Sequence, residues 1–384
     1  MRERKTVLLL EAYTRQVLPV AKGFSKLGWR VVTLNSSRLD LGNATRFADR
    51  KLLVDRSILT NESWLLTTVD VLVVTEKVDL IVPLSDFSAN VLSKFKERFR
   101  GKAAVAVNGL DVFTLAYDKQ RTMDLCQDLG IPCPKTLRAP KTVNEIEALG
   151  YPLVVKPRSA CGSIGFQVIR DRKALMHFLT AQEDSLSSWL YQQYIPETGT
   201  QFNAHLFVDA EHRVKTKIVA EKARFFPTDG GASTLCRTVD RPDVAEICEK
   251  LLHAMDWIGY CDVDLILDPG DQLPKVIEVN ARLSANVKLC FQCGVDIARQ
   301  IAECYLGEEV TAYPPPKKEA RLRCLHTDLL WFIKSPARFR SKPSWFSFRN
   351  TKDQIFSLSD PLPFFTFSLQ SMFRFRSAMK ARER

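Results

Sequence analysis

The segment that follows the first apolar run of this 384-residue chain, EAYTRQV, holds no glycine. A dinucleotide turn needs glycine there, because backbone must come close to a pyrophosphate, so NAD or FAD is not expected on the N-terminal segment. Long hydrophobic runs are also missing. The N-terminal stretch TVLLL stops at Glu11, shorter than a signal-peptide core and far short of a membrane span. No bias toward collagen, coiled coil or wholesale disorder is present, since 46% of residues are apolar and 26% charged, as in an average globular protein. Acidic residues are scarce only near the C-terminus. Residues 317–384 carry 15 Lys or Arg against 5 Asp or Glu, leaving 40 against 39 in residues 1–316, so nearly all of the net charge of +11 is C-terminal.

Cysteine is not scarce, but the ten cysteines fall within expected strands and helices of a long chain, which favours reduced thiols and a cytoplasmic setting. Cys290 and Cys293 form one CxxC. Zinc would need two further ligands, with Cys304, Cys324 and His326 the nearby candidates, and buried thiols on a helix are the simpler reading.

The length predicts two or three subdomains. Residues 6–107 alternate short apolar runs (TVLLL, WRVVTLN, VDLIVPL, KAAVAV) with amphipathic stretches, the signature of a parallel sheet covered by helices. A Rossmann-like α/β domain is therefore expected over residues 1–115. In such a sheet ligands lie at the carboxyl ends of the strands, here near Glu11 and the Ser85, Asp86 pair, although Asp86 reads more simply as a helix N-cap. Residues 116–187 read as a compact α+β unit, and residues 188–313 as largely antiparallel strands with helices near 242–258 and 294–306. A basic, aromatic extension occupies residues 314–384.

Two segments carry chemistry. In VVKPRSACGSIGFQVI, Lys156 ends a strand, Gly162 and Gly165 loosen the turn, and Ser159 and Ser163 offer hydroxyls; a loop of this kind can fold its amides around phosphate oxygens. In DVDLILDPGDQLPKVIEVNAR, alternate residues of a strand share a face, so Asp262 and Asp264 point one way, as do Glu278, Asn280 and Arg282. A hairpin turning at DPGDQLP brings Asp264 near Glu278 and Asn280, with Val263, Leu265, Ile277 and Val279 expected in the core. Such hard oxygen donors suit Mg²⁺ bridging nucleotide phosphates.

With these residues in hand the chain resembles the ATP-grasp ligases, in the branch of biotin carboxylase and the carbamoyl phosphate synthetase large subunit. The likeness runs in order through an aspartate-lysine opening a central helix, GIPCPKT, VVKP with its glycine loop, QQYIP and IEVNAR. The resemblance implies that Lys119 and Lys156 hold ATP phosphates, that the loop from Ser159 to Gly165 closes over them, and that Gln193, Tyr194 and Ile195 meet adenine. Gln193 stands where the family commonly has glutamate. For the ribose, Gln201 is the better match and Glu197 the alternative. Asp264, Glu278 and Asn280 are implied as Mg²⁺ ligands, with Mn²⁺ an alternative ion. Arg282 would meet phosphate or an acidic substrate, and Lys222 and Arg224 would steady the transferred phosphoryl or the acid.

The implied reaction activates a small-molecule carboxylate as an acyl phosphate and joins it to an amine, with release of ADP and phosphate. A bicarbonate-using carboxylase or carbamoyl phosphate synthetase-like enzyme, and a non-catalytic nucleotide-binding module, are the alternatives. RFRSKPSWFSFRN and PFFTFSLQSMFRFRSAMKARER mix basic and aromatic residues, which suits an anionic membrane surface or nucleic acid. Packing of Trp331, Phe332, Phe364, Phe365 and Phe367 on the body, with solvated cations outside, is the simpler expectation. No nucleic-acid partner is expected.

Overall fold

The computed structural model describes residues 4–159, 165–181, 186–196, 200–228 and 231–382, with side chains as far as Met372. Strands Thr6–Leu9 (β1), Arg30–Asn35 (β2), Arg50–Leu53 (β3), Leu80–Val82 (β4) and Ala104–Val105 (β5) form a parallel sheet in the order β3-β2-β1-β4-β5. Val7, Leu8, Leu9 and Leu10 are all fully buried, as a continuous apolar run must be when helices cover both faces of a sheet. β3, with sequence RKLL, is largely exposed, so it shows no apolar alternation and is absent from the sequence reading.

Strand order reverses beside β1, between it and β4. Glu11 is buried there with φ of 51°, and the Ser88 hydroxyl donates to its carboxylate; burial pushes the Glu11 pKa up, and Asp86 adds to this, while its serine neighbours oppose it. Asp86 is not the N-cap. Ser85 holds that position and Asp86 opens helix Asp86–Lys94, where a carboxylate meets the positive end of the helix dipole.

The central unit begins with helices Leu110–Tyr117 and Lys119–Asp128. Asp118 caps the second helix by accepting from the Gln120 amide at 3.0 Å, which places Lys119 in its first turn. Strands Leu153–Pro157 (β6), Gln167–Ile169 (β7) and Trp189–Gln193 (β8) form an antiparallel sheet ordered β7-β6-β8. The central sheet thus continues through Gln193. The stretch KTLRA contributes only a single bridge, Thr136 to Gln192.

The large sheet comprises Gln201–Val208 (β9), Val214–Phe226 (β10), Ala232–Thr238 (β11), Gly259–Leu267 (β12), Pro274–Asn280 (β13), Arg321–Arg323 (β14) and Thr351–Asp353 (β15), ordered β13-β12-β9-β10-β11-β14-β15. Its core face, with Phe202, Ala204, Leu206, Val263 and Leu265, packs against Val244, Cys248 and Leu251 of helix Pro242–Ala254.

Residues beyond 314 are stitched into this sheet rather than appended to it. β14 pairs with β11, and β15 with β14. Beneath them lies a buried ion cluster: Arg224 Nε stands 3.0 Å and Arg323 Nε 3.2 Å from the two oxygens of Asp328, which also accepts from Thr234 Oγ1 at 2.8 Å. Trp331 is buried, and Phe364 and Phe367 pack on the N-terminal core. Phe365 does not pack as expected. It lies on the outer side of helix Leu362–Arg382 and is 61% exposed. Among the described residues no helix is long and apolar enough to cross a membrane, and the nine described cysteines are free. Cys290 is buried on helix Lys288–Gln292.

Candidate functional site

β12 and β13 place the acidic side chains. Their register sets Asp262 opposite Asn280 and Asp264 opposite Glu278, so period-two alternation puts all four on one face. The alternation breaks once. Between Asp264 and Leu265 the register shifts, and Leu265 pairs with Val276. Ile277 is therefore an extra residue in β13: Val276 is fully buried in its place, and Ile277 lines the cleft instead of the core. A bulge re-aims side chains in this way, which corrects the expectation that Ile277 is interior.

Across the cleft the central unit supplies two cations. Lys119 Nζ lies 3.3 Å from Glu278 Oε1, and its backbone amide donates to Arg158 O at 3.0 Å. Lys156, near the end of β6, donates to the Ile277 carbonyl at 3.1 Å. Burial lowers the Lys156 pKa from 10.5 to about 8, with Glu278 opposing and Lys119 adding to the fall. Lys222 of β10 closes the third side at 2.9 Å from Asp264 Oδ2. Burial by itself would lower the Lys222 pKa, but Asp264, Asp262 and Glu278 outweigh it and raise it.

Behind the carboxylates lies a polar support. The Asn203 amide donates to Asp264 and, at 3.2 Å, to Asp262; Asn286 donates to Asn203 at 3.4 Å, and Gln354 to Asn286 at 2.6 Å. Burial raises the pKa of Asp262 and of Asp264, with Lys222 the chief opposing influence on both. His205 Nδ1 is 2.8 Å from Tyr260 Oη and 3.6 Å from Asp262 Oδ1. Burial lowers its pKa to about 4, so it is neutral near pH 7 and makes no ion pair.

Lys119, Lys156, Lys222, Asp262, Asp264 and Glu278 line one cleft of about 740 Å³, together with Gln193, Tyr194, Ile195, Gln201, Asn280 and Arg282. Gln193 is pinned at both ends, its amide donating to Lys135 O at 2.8 Å and its side-chain oxygen accepting from Lys135 N at 3.3 Å. Arg282 Nε donates to Asp86 Oδ2 at 3.0 Å, which links the cleft to the end of the N-terminal sheet.

Other sequence candidates lie elsewhere. Gly162 and Ser163 fall outside the described residues, as does Glu197. Ser159 is exposed just beyond β6. Gly165 has φ of 75°, and a Cβ there would sit 2.7 Å from Pro157 Cγ, so glycine is required by conformation and by space. Arg224 is buried against Asp328 and does not line the cleft; burial lowers its pKa to about 10.

Asn203, Asn286 and Phe166, which also line the cleft, are absent from the sequence reading. Asn203 had a signal. In FNAHLFV it alternates with apolar residues on the same face as His205, and two polar residues on a central strand call for partners.

The family model of the ATP-grasp domain matches residues 116–286. The chain is 26% identical over 211 residues to the carbamoyl phosphate synthase large chain of Clostridium perfringens, covering 52% of this chain and 19% of that protein. It is 21% identical over 245 residues to D-aspartate ligase of Enterococcus faecium, covering 58% of each. It therefore spans less than two thirds of either relative. Among solved structures, the biotin carboxylase–ATP complex from Campylobacter jejuni has a TM-score of 0.67 at 17% identity, over 81% of this chain and 72% of that one, a likeness in fold. Residues 116–286 of this chain thus match the ATP-grasp domain, and they are joined to an N-terminal parallel sheet and to C-terminal strands that extend the large sheet.

Proposed function

We propose that the chain is an ATP- and Mg²⁺-dependent ligase that activates a carboxylate by phosphoryl transfer and joins it to an amine, releasing ADP and phosphate. One observation carries the reading: Lys119 and Lys156 of the central unit face Asp264, Glu278 and Asn280 of the β12–β13 hairpin across a single cleft. Relatives with D-aspartate ligase and carbamoyl phosphate synthase names support it.

The oxygen donors suit Mg²⁺. Among the described residues no three His, Cys, Asp or Glu side chains group to hold a metal ion; the set here is two carboxylates and a carboxamide, which leaves positions for phosphate oxygens and water. Asp264, Glu278 and Asn280 would hold the ion. When bound it would neutralise and align phosphate oxygens.

The chain's own residues do the rest by placement and charge, from which phosphoryl-transfer catalysis chiefly comes. Lys119 and Lys222 are now neutralised by Glu278 and Asp264. With a cation held by these carboxylates, Lys119 and Lys222 would turn their charge to nucleotide phosphates, so charge would be exchanged rather than added. Gln193, Tyr194 and Ile195 line the cleft and would meet adenine, with Gln201 toward the ribose. Arg282, held by Asp86, would present its planar fork to the acid or its phosphate. Arg224 acts at one remove, by fixing the C-terminal strands.

The test is to incubate the full chain with MgATP and paired acids and amines, bicarbonate included, then measure ADP and product mass. ADP formation that needs both partners, with a product equal to their sum less one water, is expected. Bicarbonate serving as the required acid would instead indicate a carboxylating enzyme. ADP formation that no acid alters would contradict the ligase reading.

A further inference from the structure

The extension carries an apolar surface that the cleft does not use. On helix Leu325–Lys334, Leu329, Leu330 and Ile333 face outward, opposite the buried Asp328 and Trp331. Phe332 gathers Phe339, Trp345 and Phe346 at ring separations of 5.4, 4.6 and 5.7 Å, yet Phe339 is 70% exposed and Phe346 58%. Arg338 joins the two parts. It donates to the Ile333 carbonyl at 3.2 Å and lies 5.5 Å from the Phe339 ring centre.

Along this stretch of chain the charge has one sign. Between Asp328 and Asp353 the sequence has no Asp or Glu and six Lys or Arg, all exposed. A second exposed stripe lies on helix Leu362–Arg382, where Leu362, Phe365, Leu369 and Met372 recur at spacings of three, four and three, one face of a helix. His326 connects the helices, with its ring 4.9 Å from that of Phe364 and Nε2 2.8 Å from Ser368 Oγ.

Single exposed apolar residues are ordinary, but a contiguous set rimmed by cations marks a binding surface. Nucleic acid would use the aromatic rings for stacking and leave Leu329, Leu330 and Ile333 without a role. An anionic bilayer uses all of it: aliphatic and aromatic side chains enter the headgroup boundary, and Lys and Arg meet lipid phosphates.

We propose that residues 329–349 dock the protein on an anionic membrane surface, with the outer stripe of helix Leu362–Arg382 as a second contact. The chain lies on the bilayer and does not cross it. This rests on the extension alone and is independent of the reaction in the cleft.

Flotation of the full chain with phosphatidylcholine vesicles, with and without phosphatidylglycerol, tests it. The protein should float with anionic vesicles, stay behind with phosphatidylcholine alone, and lose binding as salt rises. The double variants Phe339→Ser/Phe346→Ser and Leu329→Ser/Ile333→Ser should each weaken binding about tenfold, with an unchanged melting midpoint. Arg338→Ser/Arg340→Ser should reduce the preference for anionic lipid. Equal recovery in the soluble fraction with both vesicle types would overturn the proposal. So would vesicle binding untouched by both apolar variants, or a concentration-dependent dimer or a nucleic-acid complex in the absence of vesicle binding.

Discussion

Lys156 gives the cleft a pH dependence above neutrality. Burial holds its pKa at about 8, below the ordinary 10.5, and a phosphate binds the ammonium form better than the amine. Nucleotide affinity should therefore be full below pH 8 and decline as pH rises through it, with proton uptake on binding in that range. Calorimetric titration of MgATP in buffers of different ionisation heat, at pH 7 and 9, measures both. Lys156→Ala should weaken binding at pH 7 by about 10- to 100-fold, the worth of a charge-assisted hydrogen bond, and flatten the pH dependence. Persistence of the dependence in that variant would assign it to another group. At this scale the sequence was informative wherever strand alternation held, as for Asp264, Glu278 and Asn280. It misled at Ile277, because a one-residue bulge leaves no mark in composition.

Whole elements divide by length. The β12–β13 hairpin was legible, since nine- and seven-residue strands with a DPGDQLP turn leave little choice of register. β14 and β15 were not. Three residues each are too few for a period, and only pairing, of β14 with β11 and of β15 with β14, makes them strands. Arg224 was misplaced for a related reason. It sits in β10 after Lys222, on the same side by alternation, but a register shift between the two and the acid of a distant helix turn it away. The single Asp328 carboxylate bridges Arg224 and Arg323 with no exposure of its own. Asp328→Ala leaves two buried cations unpaired and should cost about 3 to 5 kcal/mol. Urea unfolding measures this, and a loss under about 1 kcal/mol would mean that water reaches the cluster.

At the scale of the whole molecule, the N-terminal unit meets the cleft through the ion pair of Asp86 with Arg282 and through Arg15, which lines the cleft and donates to Gln354. The position of Asp86 at the strand-order reversal was foreseeable, its partner 196 residues away was not. If the Asp86–Arg282 pair only orients Arg282 for the acid, Asp86→Ala should leave MgATP affinity within about twofold while ADP formation with the acid falls about tenfold. Equal losses in both would make the pair part of the nucleotide site.

The central claim is that the hairpin acids and Asn280 hold the metal that brings ATP into the cleft. The direct measurement is MgATP affinity of the Glu278→Ala/Asn280→Ala variant by calorimetry, beside its affinity for ATP without metal. The expected result is loss of about 100-fold or more in the presence of Mg²⁺, with little change in the weak metal-free binding that Lys119 and Lys156 sustain. Unchanged MgATP affinity in a folded variant would contradict the account.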